Sequence, residues 1–203
     1  SRGTEPREAF VGRDAELAQL GEAFEAVKGG QPRSVFVRGV SGMGKSALVG
    51  RFAARARGQG AVVLMGRCYE RETVPFKAVD GLVDSLCLHL RRLSSRRAAA
   101  VLPRGVHAAA KLFPVLNAVD ALSDIPKQKE VDDGPEQRRR GFVALKELVG
   151  ALADGRPLVV VIDDLQWGDE DSARLLAELL GPPGNTSMLF VGAFRREERA
   201  QSV

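Results

Sequence analysis

The sequence predicts an α/β domain with a mainly parallel sheet flanked by helices. Three observations predict it. Apolar, β-branched runs alternate with segments of helical periodicity along most of the 203 residues. A glycine-rich stretch, GVSGMGKS at 39–46, separates one such run from one such helix. A second apolar run, LVVVI at 158–162, leads into two adjacent carboxylates, Asp163 and Asp164.

The elements follow in order. Asp14 is placed to cap a helix carrying Leu17, Leu20, Phe24 and Val27 at helical spacing, and KGGQPRS stops it. Residues 34–39 alternate and read as a first strand. Beyond the glycines, Val49, Phe52, Ala53 and Ala56 mark one face of a helix. AVVLMG at 61–66 is a second strand. The runs at 158–162 and 188–194 are continuously apolar, as expected of strands covered on both faces. A helix over 136–153 sets Phe142, Leu145, Leu148, Val149 and Leu152 on one side, and another over 171–180 carries Leu175, Leu176, Leu179 and Leu180. Residues 76–125 show no strand pattern and read as several helices broken by Pro103, Gly105 and Pro114. KQKEVDDGPEQ at 127–137 reads as a charged, mobile loop. The expected organisation is a disordered stretch over 1–9 and one domain over 10–203, with a helical insertion at about 76–135 ahead of the Asp163 strand.

Composition bounds the function. Hydrophobic residues make up 44% of the chain, enough for a sizeable core, and the net charge of +4 is mild. No apolar run approaches the ~18 residues of a membrane span, and SRGTEPREAF lacks the apolar segment of a secretory signal. Cys68 and Cys87 form no metal or redox motif; they read as small core residues and suit a reducing cytoplasm. No membrane partner is expected. The basic clusters at 91–97 and 138–140 lack interleaved aromatic residues, so they read as solvated faces, and nucleic-acid binding by this domain is not expected.

The glycine stretch fits G-x-x-x-x-G-K-[ST], with Gly39, Gly44, Lys45 and Ser46 in the fixed places. A triphosphate presents oxygens on every side, so backbone N–H groups must turn inward to meet it. Glycine permits the positive φ values and the close approach. The loop, Gly39 through Val40, Ser41, Gly42, Met43 and Gly44, then opens a helix at Lys45, Ser46 and Ala47, whose unpaired N–H groups favour an anion. Lys45 would reach the β and γ phosphates, and the Ser46 hydroxyl would ligate Mg²⁺. Asp163 at a strand tip would hold the same ion, and Asp164 would orient or deprotonate an attacking water. FVGAFR at 190–195 delivers Arg195 to the same sheet edge as a sensor of the γ-phosphate. The cofactors expected are ATP or ADP with Mg²⁺.

Together these residues resemble the nucleotide-binding domain of the STAND class of signal-transduction ATPases, within the AAA+ group of P-loop NTPases. Four stretches carry the resemblance: FVGRDAEL at 10–17, GVSGMGKS as a Walker A motif, VVVIDDLQWGDEDS at 159–172 as an extended Walker B motif, and LFVGAFRREE at 189–198. The resemblance implies that Val11, Gly12 and Arg13 line the adenine and phosphate side. It implies a sheet order of 2-3-1-4, with the Walker B strand beside the Walker A strand, and a packing role for Trp167. It also implies a further helical and winged-helix part after the last strand, so the chain is expected to be a fragment of a longer protein. No arginine finger is evident; Arg91, Arg92, Arg138 and Arg139 are candidates by position.

The implied function is Mg²⁺-dependent ATP binding and slow hydrolysis, acting as a switch in a multidomain regulator. Its partners would be the other domains of that protein and, in one nucleotide state, further copies of itself. Two alternatives stand beside it: a nucleotide-holding interaction module without useful catalysis, and a DNA-handling AAA+ ATPase of the initiator or loader type.

Overall fold

The computed structural model describes residues 12–70, 75–127, 133–181 and 187–195. In chain order its elements are α1 (Asp14–Lys28), β1 (Arg33–Gly39), α2 (Lys45–Gly58), β2 (Val62–Arg67), α3 (Lys77–Arg91), α4 (Ser95–Val101) and α5 (Val106–Leu112). Two short 3-10 turns, Pro114–Ala118 and Asp120–Asp124, lead towards α6 (Gly134–Ala153), β3 (Leu158–Asp163), a 3-10 turn at Leu165–Trp167, α7 (Glu170–Leu180) and β4 (Met188–Arg195). The described part of 76–125 is helical or turn, as its pattern predicts. The expectation of disorder over 1–9 concerns residues outside the described ones.

All the strand pairs are parallel, and the sheet order is β1-β4-β3-β2. This corrects the expected order. The Walker B strand β3 does not lie beside the Walker A strand β1, because β4 sits between them. The reason is burial. From Met188 to Ala193 β4 is buried at every position, whereas β1 alternates between exposed and half-buried positions. A strand apolar on both faces belongs inside the sheet; one carrying Arg33, Ser34 and Arg38 belongs at its edge.

The strands divide their side chains between two cores, one on each face. Val159, Val161, Leu189 and Val191 meet Leu20, Phe24 and Val27 of α1 and Leu48, Val49, Phe52 and Ala56 of α2. Leu158, Val160, Ile162 and Phe190 meet the larger layer that contains α3, α6 and α7. Cys68 and Cys87 are buried in this second core, and Trp167 packs against it. The period-2 alternation of a strand is what lets one run of valines serve both layers.

Helix α3 lies very close to β2. A Cβ on Gly66 would stand 2.7 Å from the Leu82 backbone nitrogen. A side chain there would push the helix off the sheet.

Smaller departures have simple causes. Asp14 is the first residue of α1 rather than its cap, which is Arg13; at that place its charge still faces the positive end of the helix. Residues 134–137, expected in a loop, form the first turn of α6, because Pro135 at a helix start gives up an N–H that has no partner there anyway. Leu180, expected on the buried face of its helix, is exposed where α7 ends.

Candidate functional site

Because the strands run parallel, their carboxyl ends share one edge of the sheet. Register pairs Gly39 with Arg195 across β1 and β4, and Arg67 with Asp163 across β2 and β3. The Walker A loop, Arg195, the two carboxylates and Arg67 therefore occupy one continuous rim. Interposing β4 puts Arg195 between the loop and the carboxylates.

The loop leaves β1 at Gly39 and enters α2 at Lys45. Gly42 and Gly44 have φ of +78° and +75°, in the left-handed region that glycine adopts freely. A Cβ at either would meet nothing within 4 Å. Backbone conformation, and not crowding, is what calls for glycine there. Ser41, Gly42, Met43, Ser46 and Ala47 are exposed, and Val40 is half-buried. The first turn of α2 contains no acidic residue, so nothing offsets the positive end of the helix. The Lys45 ammonium donates to the carbonyls of Gly39 and Val40, both at 2.9 Å. Neutral acceptors hold it at the mouth of the loop. An anionic group would offer it a stronger bond. These features fit a phosphate chain.

The stretch before α1 touches the same loop. Arg13 donates from Nη2 to the Met43 carbonyl at 2.9 Å and from Nη1 to Glu16. Gly12 has φ +88°. Val11 lies outside the described residues.

Asp163 is half-buried and accepts the Asp164 N–H on Oδ1 at 2.9 Å. Asp164 itself is buried and has φ +53°, a left-handed conformation unusual for a residue with a side chain. Its carboxylate is fully engaged. Oδ2 accepts from Arg67 Nη2 at 2.8 Å and Nε at 3.1 Å; Oδ1 accepts from Gln166 Nε2 at 3.0 Å and Arg195 Nε at 3.3 Å. Burial pushes this carboxyl up, but the hydrogen bonds from Gln166 and Arg67 and the charges of Arg195 and Arg67 outweigh it and leave it below its ordinary range. Gln166 also accepts the Arg195 N–H at 3.0 Å. Neither Arg67 nor Gln166 stood out in the sequence as a site residue. A signal for Arg67 was present: it is the charged residue at the tip of an apolar strand, the feature that singled out Arg195.

The residues after the Walker B carboxylates tie helices together. Asp169 caps α7 by accepting the Ser172 N–H on Oδ1, and its Oδ2 accepts the Phe76 N–H at 2.8 Å. Ser172 Oγ accepts the Ala78 N–H at 3.0 Å. Both thereby pin the start of α3, where Phe76 has φ +62°. Burial raises the Asp169 carboxyl, and these hydrogen bonds more than reverse it.

The arginine-finger candidates scatter. Arg91 and Arg92 lie at the far end of α3, and Arg92 shares the surroundings of His89 with Arg156, which precedes β3. That is the opposite edge of the sheet. Arg138 pairs with Asp171 at 3.3 Å and lies over the Phe76 ring, while Arg139 pairs with Glu136. Among the described residues no helix is long and apolar enough to cross a membrane.

The chain is 25% identical over 179 residues to an uncharacterized protein of Rhizobium meliloti (strain 1021), an alignment covering 83% of this chain and 17% of that relative. The chain thus spans about a sixth of the relative's length. The family model described as "AAA ATPase domain" matches residues 9–191, which include the Walker A loop, both Walker B carboxylates and the first half of β4. The chain belongs to the AAA ATPase domain family.

Proposed function

We propose that this domain binds ATP with Mg²⁺ on the Walker A loop and hydrolyses it slowly, as the nucleotide-dependent switch of a larger regulatory protein of the STAND class. The observation that carries the reading is the shared rim: loop, Lys45, Arg195, Asp163 and Asp164 at one sheet edge. Gly39 to Ala47 would wrap the phosphates, with Gly12 and Arg13, and Val11 by resemblance, on the adenine side. Lys45 would leave its two carbonyl partners for phosphate oxygens. Ser46 and Asp163 would hold the metal, which supplies charge neutralisation on the phosphates when bound.

The engaged state of Asp164 shapes the mechanism. Its two oxygens already accept four hydrogen bonds, and its proton affinity is lowered, so in this arrangement it is a weak base. A γ-phosphate would compete with Asp164 for Arg195. Drawing Arg195 away would free Oδ1 to orient a water. Nucleotide state would then be read as a choice of partner for one guanidinium, a differential interaction of the kind that shifts a two-state population.

The test is calorimetric titration of ATP–Mg²⁺ into the chain and its Lys45→Ala variant, with phosphate release measured beside Asp164→Asn. Unchanged affinity in Lys45→Ala would overturn the nucleotide reading. The engaged Asp164 also favours a second reading, in which the domain holds nucleotide without useful hydrolysis. Equal phosphate release from Asp164→Asn and the unmodified chain would select it.

A further inference from the structure

The turn after the Walker B carboxylates carries a side chain that joins two strands of the rim. Gln166 is half-buried and bonds at both ends of its amide: Nε2 donates to Asp164 Oδ1 and Oε1 accepts the Arg195 N–H, each at 3.0 Å. The partners decide which way the amide faces, because a backbone N–H can only donate and an ionised carboxylate can only accept. The second bond has a reason in the sheet. The β3–β4 register ends at Ile162 opposite Gly192, yet β4 runs on to Arg195. Gln166 takes up an N–H beyond the reach of the β3 ladder. The turn that presents it is itself pinned. The Asp164 carbonyl accepts the Trp167 N–H at 3.0 Å, and Trp167 packs on the helical core. Leu165 lies so close to β4 that a Cβ on Gly192 would stand 3.1 Å from its side chain.

We infer that Gln166 is a positioning residue for hydrolysis: it aims Asp164 Oδ1 at the attacking water and tethers the Arg195 backbone while the guanidinium turns to the γ-phosphate. The inference rests on the nucleotide reading and concerns how that same site is controlled. Asp164 is faced by Arg67 from β2 and Arg195 from β4, with Asp163 beside it. Arg67 bonds Oδ2, whereas Gln166 and Arg195 bond Oδ1. Once Arg195 leaves, Gln166 Nε2 still holds Oδ1. A neutral donor fixes the direction of the carboxylate and leaves a lone pair for water. A cation in its place would bind the charge more strongly and make the carboxylate a weaker base. The tether matters as well: with its N–H held, Arg195 can answer a phosphate by moving its side chain and not the strand end. Burial opposes the Asp164 charge, and the hydrogen bond from Gln166 comes first among the individual interactions that restore it.

The test uses two variants. Gln166→Met is close in shape but makes neither bond; Gln166→Glu, once ionised, still accepts the Arg195 N–H but cannot donate to Asp164. Phosphate release from ATP–Mg²⁺, ADP–Mg²⁺ affinity and carboxyl titration by NMR are measured on both and on the unmodified chain, with thermal melts to check folding. Both variants should lower kcat at least about tenfold with KM little changed. Both should move the Asp164 titration upward, and with it the acid limb of the phosphate-release profile towards higher pH. ADP affinity should stay the same, since ADP lacks the phosphate that Arg195 would meet. If Gln166→Met proves unfolded, the isosteric Gln166→Glu carries the test. Unchanged turnover in a folded variant, recovery in Gln166→Glu, an Asp164 titration that does not move, or a loss confined to KM would each overturn the inference and leave the nucleotide reading standing. An unmodified chain that binds no nucleotide would sink the nucleotide reading, and one that binds ATP without releasing phosphate would sink hydrolysis; either result takes this inference with it.

Discussion

Arg67 and Asp164, at the ends of β2 and β3, are joined by two hydrogen bonds to a single carboxylate oxygen, at 2.8 and 3.1 Å. Arg67 is half exposed while Asp164 is buried, so the pair spans the boundary between solvent and core. Replacing Arg67 with Ala leaves the buried carboxylate with Gln166 and Arg195. A stability loss of about 1 kcal/mol is expected, discounted for the exposure of Arg67. Carboxyl titration followed by NMR should show Asp164 moving up. No upward movement would mean that Arg67 does little to hold the charge.

Asp164 and Asp169 also set an acid limit. Both have folded-state pKa values lowered from the ordinary carboxyl value, 3.8. The unfolded chain therefore binds their protons first as pH falls. Their stabilisation is complete above that ordinary value and is lost as pH drops through the lowered folded values. Denaturant midpoints measured from pH 6 down to about 2 should fall more steeply below pH ~4 than those of Asp169→Asn.

Asp169→Ala removes the α7 cap and leaves the Phe76 N–H without its acceptor. The cap is worth about 1 kcal/mol and the orphaned donor about 1–3 kcal/mol, so a loss of roughly 2–4 kcal/mol in urea unfolding is expected. A loss below ~0.5 kcal/mol would mean that α3 and α7 are held by their apolar contacts alone.

Gly66→Ala tests the contact between β2 and α3. Its Cβ would meet backbone, which cannot rotate away. An overpacking cost of about 1–3 kcal/mol is expected, read as a lower thermal midpoint.

Lys45→Ala should leave unfolding nearly unchanged, because the ammonium bonds only two half-exposed carbonyls in this state. It should abolish most of the thermal shift given by ADP–Mg²⁺. A large stability loss without ligand would instead assign Lys45 a structural role.

The local elements were legible because their signals are local. Val49, Phe52, Ala53 and Ala56 fall on one helical face, and all are buried. Gly42 and Gly44 occupy the left-handed backbone that their place in the loop calls for. The strand ends Gly39, Asp163 and Arg195 share an edge, as strands running in one direction require. The contrast that puts β4 inside and β1 outside, MLFVGAF against RSVFVRG, was also in the sequence, yet resemblance pointed to the other order.

By itself, then, the sequence determined the α/β class, the phosphate-type loop and the carboxylate pair, since each depends on the order of neighbouring residues. Only the tertiary structure decided that β4 separates β1 from β3 and that Arg67 and Arg195 converge on Asp164. Those relations join residues tens of positions apart through parallel pairing and helix packing, and chain order does not encode which distant side chains a fold will bring within hydrogen-bond reach.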